Sequence, residues 1–163
     1  MFIESKIQNM KTLNQWFDEY AVSHQNETNQ LIHYVCVPLI FFSIVGLFMS
    51  IQSHFISSIF NLNNPLIENW ASIVLALVLL FYLRLSISMF FKMLIFSISC
   101  IIGNYYLGQK LPLFYSSLVI FVVAWIGQFY GHKVEGQKPS FLKDLQFLLI
   151  GPAWVIKKLT LKK

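Results

Sequence analysis

Four long apolar stretches decide what this chain can fold into. They run from about Leu31 to Ile51, Leu66 to Leu83, Leu85 to Leu107 and Leu111 to Tyr130. A helix needs about 20 mostly apolar residues to cross a bilayer, and each stretch is close to that length. Only 12% of the 163 residues are charged, against roughly 25% in a soluble domain. An ordinary soluble globule is excluded, and the apolar excess (56% of residues) excludes intrinsic disorder. The expected architecture is a single integral membrane domain over residues 1–163. It is an all-α membrane protein of four transmembrane helices, with an N-terminal amphipathic helix and a C-terminal interfacial or re-entrant helix.

Punctuation and charge fill in this outline. Arg84 leaves almost no loop between the second and third stretches, which predicts a tight helical hairpin. Asn63-Asn64-Pro65 and Gly108 to Pro112 mark other turns. Lys11 to His24 carries Leu13, Trp16, Phe17 and Tyr20 at helical spacing, so it reads as amphipathic. Phe141 to Leu161 is apolar but interrupted at Gly151-Pro152, with Ser140 as its N-cap and Asp144 in its early turns. Each half is too short to span. With four spans, every basic residue except Lys110 falls on one side, which the positive-inside tendency makes cytoplasmic, together with both termini. A fifth span would spoil that asymmetry. The basic residues sit at chain ends and beside apolar runs, so the net charge of +5 reads as topology and headgroup contact, not nucleic-acid binding. Trp16, Trp70, Trp125 and Trp154 are expected in interfacial belts. Short loops and the absence of a signal-peptide pattern favour a bacterial inner membrane over the endoplasmic reticulum.

Three of the four histidines acquire a shared position once the topology is drawn. His24 ends the amphipathic segment, His33 opens the first span and His132 closes the fourth, all at the cytoplasmic boundary. His54 falls on the other side. On one unbroken helix His24 and His33 would face opposite ways, since nine residues make about 900° of rotation. Gln25 to Thr28 reads as a turn, with Asn26 or Thr28 capping the next helix, and it folds His24 back over His33. Asn29 and His33 share a face at i, i+4, as do Gln128 and His132. Gly131 permits close approach, and Glu135 lies within reach of the same place. Three imidazoles with an open position suit zinc or ferrous iron, and added carboxylate or amide oxygen favours iron. The competing reading is a non-catalytic membrane lipid-binding or scaffold protein whose interfacial histidines are structural. A small transporter is disfavoured, because no broken helices repeat in matching halves. No Walker loop or GxSxG elbow is present.

These residues resemble a known family, the membrane 2-hydroxy fatty acid dioxygenases, typified by a fungal endoplasmic-reticulum enzyme with bacterial homologues. One motif is Tyr20, His24, Asn26, Asn29, Ile32, His33, Val37 and Pro38. The other is Trp125, Gln128, Phe129, Gly131, His132 and Glu135, followed by Pro139, and Asp144 to Pro152 is similar to bacterial relatives. Here Glu135 stands three residues after His132, one fewer than in the family pattern. The resemblance implies an Fe(2+)-dependent dioxygenase that uses O2 to convert a 2-hydroxy fatty acid to the acid one carbon shorter. It implies His24, His33 and His132 as catalytic metal ligands, with Glu135 a further candidate. Asn26, Asn29 and Gln128 would orient the imidazoles. Lys133 and Lys138 would steer the carboxylate, and the acyl tail would run into the bilayer between the first and fourth spans.

Overall fold

The computed structural model describes residues 11–22, 24–51, 56, 58, 64–136 and 147–161. Among these residues lie six helices and no strand: α1 (Leu13–Val22), α2 (Glu27–Met49), α3 (Trp70–Leu85), α4 (Ile87–Lys110), α5 (Leu113–Val134) and α6 (Ile150–Leu161). Three of them, α2, α4 and α5, are long and apolar enough to cross a membrane. The expected second span is shorter than its apolar stretch suggests. Asn64 accepts from the Leu66 amide at 3.0 Å, and Asn69 caps α3 by accepting from Ser72. Residues Leu66 to Asn69 are therefore turn, and α3 keeps 16 residues, about 24 Å at the helical rise.

The boundaries follow local chemistry. Asn26 opens α2, its side chain accepting from the Thr28 and Asn29 amides, and Glu27 complements the helix dipole in the first turn. Ser86 both closes α3 and caps α4, so the hairpin forms with a single residue between helices. Helix α4 continues through Gly108 and stops only at Leu111-Pro112, a later turn than the sequence suggests. Gly136 ends α5 with φ +75, the left-handed conformation that glycine adopts without strain. Helix α6 starts at Ile150, so Gly151-Pro152 lies in its first turn and does not break it. Proline is tolerated there because first-turn amides have no intrahelical partner. Ser140 and Asp144 lie outside the described residues.

Helix α6 packs into the bundle. Ile150, Ala153, Trp154 and Val155 are buried, and the helix packs on α1 and α2. The hydroxyl of Tyr82, in α3, donates to the Leu149 carbonyl just before it. Trp154 and Trp125 are both buried, so neither joins an interfacial belt.

The most extensive pairing in the bundle is α2 against α5. It depends on two glycines of α5 at i, i+4. A Cβ on Gly127 would sit 2.6 Å from Cys36 Sγ, and one on Gly131 would sit 2.5 Å from Asn29 Oδ1. Such small residues let backbones approach where the surrounding medium is as apolar as the side chains. Gly131→Ala gains about 1 kcal/mol of helix propensity, but overpacking costs about 1–3 kcal/mol. We expect a lower melting temperature in detergent for this variant. Gly108→Ala, whose added Cβ meets only Leu113 at 3.5 Å or more, should leave the melting temperature unchanged or raise it.

Candidate metal centre

Three chain segments each bring one histidine to the same end of the bundle. His24 follows α1, His33 lies in the second turn of α2, and His132 lies in the last turn of α5. Their rings converge: centroids are 4.4 Å apart for His24 and His33, 5.0 Å for His33 and His132, and 5.5 Å for His24 and His132. All three are buried, and one ring nitrogen from each lies within 4.8 Å of the others.

The turn that makes this possible is the one the sequence predicts. The His24 amide donates to the Ala21 carbonyl at 3.1 Å, Asn26 caps α2, and the chain reverses between them. The backbone then sets each ring by the same device. Nδ1 of His24 donates to the Tyr20 carbonyl at 2.6 Å, and Nδ1 of His33 to the Asn29 carbonyl at 2.9 Å, each four residues back. A carbonyl only accepts, so in the neutral ring Nδ1 carries the proton and Nε2 presents its lone pair. Nε2 of His33 is buried without a hydrogen-bond partner among the described residues. A buried acceptor left in that state is costly unless something else binds it. Three imidazole nitrogens at this spacing, in a dry pocket, fit a divalent transition metal.

Glu135 lies outside this group of three. Its carboxylate accepts from the Gln25 amide at 2.7 Å, from the Asn26 amide at 2.9 Å and from Asn29 Nδ2 at 2.9 Å. It thus ties the end of α5 to the turn that carries His24. Burial pushes the carboxyl upward, but the hydrogen bonds from Asn26, Asn29 and Gln25 and the nearby His24 outweigh it and hold the group below its ordinary 4.5. Asn29 is fully buried between α2 and Glu135. Gln128 is buried one turn before His132 and lines a void of about 20 Å³ with Tyr20, Val37 and Trp125. Lys133 is exposed beside the centre, while Lys138 and His54 lie outside the described residues.

Sequence reasoning passed over the aromatic wall of the site. Tyr20 stacks on His24 at 4.0 Å and 11°, and Trp154 stands 5.7 Å from His24 and 5.2 Å from Tyr20. The i, i+4 spacing of Tyr20 and His24 was a usable signal. Trp154 gave none, because its placement depends on how α6 docks.

A family model described as "Mpo1-like: 2-hydroxy-palmitic acid dioxygenase Mpo1-like" matches residues 10–163. No curated protein and no solved structure matches the chain.

The carboxylate of Glu135 has a lowered folded-state pKa, so its contribution to stability is present above about pH 4.5 and is lost as pH falls through the folded value. Glu135→Gln should cost about 1–2 kcal/mol at neutral pH, a few degrees of melting temperature. The gap between variant and wild type should close under acid. Melting curves in detergent across pH check this, and a gap that persists below the carboxyl's range would remove the ionic clamp.

Proposed function

Since the chain belongs to the Mpo1-like 2-hydroxy-palmitic acid dioxygenase family, we propose that it is an iron-dependent membrane dioxygenase acting on 2-hydroxy fatty acids. The observation that carries this reading is the convergence of three buried imidazoles from three segments of the bundle. The net reaction breaks the C1–C2 bond of the substrate. C2 passes from alcohol to carboxyl and C1 leaves at the level of carbon dioxide, a four-electron oxidation matched by the four-electron reduction of dioxygen. The balance is RCH(OH)COOH + O2 → RCOOH + CO2 + H2O.

His24, His33 and His132 hold the ion, and ferrous iron is the metal that this chemistry calls for. When bound, the ion supplies Lewis acidity toward the 2-hydroxyl and carboxylate together with redox chemistry toward dioxygen. The chain does the rest. The Tyr20 and Asn29 carbonyls fix two imidazoles in the tautomer that presents Nε2. Glu135, through Asn26 and Asn29, holds the His24 turn against α5. Tyr20 and Trp154 keep bulk water from one side of the rings. Lys133 raises the local concentration of the anionic headgroup. On the proposed topology of four spans with both termini cytoplasmic, this centre lies at the cytoplasmic face, where a carboxylate stays near water while its tail remains in the bilayer.

Purified protein, loaded anaerobically with Fe(II) and then given O2 and 2-hydroxyhexadecanoate, should release pentadecanoate, read by mass spectrometry. Chelation should abolish the product. His33→Ala should fold, bind no iron by elemental analysis, and form no product. Undiminished turnover by the metal-free protein would sink the reading.

A further inference from the structure

A groove of about 420 Å³ runs along the bundle between α2 and α5. Its walls include Ile44, Leu47 and the nearby Ile51 on one side, and Phe114, Leu118 and Phe121 on the other. Every lining residue is apolar, and Ile51, Phe114 and Leu118 are exposed, so the groove opens sideways at membrane depth. Two residues stand between it and a small void on the side of the histidines. Trp125 and Leu148 line both this groove and the small void that Tyr20 and Gln128 border beside the histidines.

The dimensions suit one kind of occupant. Gly131 touches Asn29 and His33 at the metal end. Leu118 lies 13 residues below Gly131 and Leu47 lies 14 beyond His33, about 20 Å along either helix at 1.5 Å per residue. An extended acyl chain advances about 1.25 Å per carbon, the projection of a ~1.5 Å bond. The fourteen carbons beyond C2 of a sixteen-carbon acid therefore cover roughly 17 Å, ending just short of Leu118 and Leu47. An extended protein segment would leave its backbone amides unsatisfied against the apolar walls that the described residues form, whereas a hydrocarbon chain needs only contact.

We infer that this groove receives the acyl tail of the substrate, entering past Trp125 and Leu148, and that Leu118 sets the chain length it accommodates. The inference rests on the dioxygenase reading for the identity of the headgroup. The groove itself rests on the geometry.

Full-length protein is incubated with 2-hydroxyhexadecanoic acid carrying a diazirine near its methyl end, then irradiated and mapped by peptide mass spectrometry. Adducts are expected on 44–51 and 114–121, and excess unlabelled 2-hydroxyhexadecanoate should suppress them. In competition assays Leu118→Trp should shift preference toward shorter 2-hydroxy acids by at least about tenfold. Val119→Trp, one position round the helix toward lipid, should not shift it. Adducts elsewhere, adducts displaced only by bulk phospholipid, or an unchanged length profile for Leu118→Trp in an active protein would overturn the assignment. Competed adducts without any shortened acid, from any chain length, would keep the groove and discard the dioxygenase reaction.

Discussion

The close crossing of α2 and α5 is the constraint on which the other features depend. Between helices in lipid there is no hydrophobic drive to associate, so contact must come from fit and from polar groups satisfied across the interface. Gly127 and Gly131 supply the fit near the three histidines. At the other end of the pair, a Cβ on Gly46 would collide with Asn104 and Ser117. Asn104 Nδ2 there donates to the carbonyls of Phe42 and Cys100 at 2.9 Å each, joining α4 to α2. The bundle is fastened by small and polar residues at both ends, with apolar contact between. If α2 stood further from α5, His33 and His132 would no longer share a pocket, and Glu135 would not reach Asn29.

Burial of polar rings at that crossing is met by partners within the chain. Each ring withdrawn from water must replace its lost hydrogen bonds. For His24 and His33 the chain does so locally, through the carbonyl four residues back. This requires no distant partner to set ring orientation. The longer-range requirement falls on Glu135, whose carboxylate satisfies the amides of the His24 turn. Local hydrogen bonds orient the rings, and one tertiary clamp brings them together.

Much of this was legible in the sequence. Asn26 and the polar run around it forced a turn, the turn forced His24 over His33, and Gly131 announced a close approach. Glu135 was placed within reach of the centre, but its hydrogen bonds could be seen only in three dimensions. The Gly127-x-x-x-Gly131 spacing was present and unused. What could not be read was which apolar residues face lipid and which face protein. In α2 and α5 both surroundings are apolar, so the helices are hydrophobic all round and periodicity carries little signal. Trp125, in α5, was expected to face the interface and instead is buried against protein. Gly151-Pro152 was misread because a proline that breaks a helix interior is harmless in a first turn, and the start of α6 was not evident.

On the proposed dioxygenase reading, the depth of the centre follows from the two halves of an amphiphilic substrate. Keeping acyl methylenes out of water is worth about 0.8 kcal/mol each, so a long tail stays in the bilayer throughout. A carboxylate, by contrast, is expensive to carry into it. A site that handles both must lie at the boundary, which means its ligands must come from helix ends and turns. His24 lies in a turn, His132 lies in the last turn of α5, and His33 lies only about 9 Å inside α2 at the helical rise. Asn26 starts α2 four residues before the apolar stretch begins, and this extra turn carries Asn29 and gives His33 its carbonyl acceptor. A polar cap and a glycine crossing thus set where along the bundle the three histidines meet.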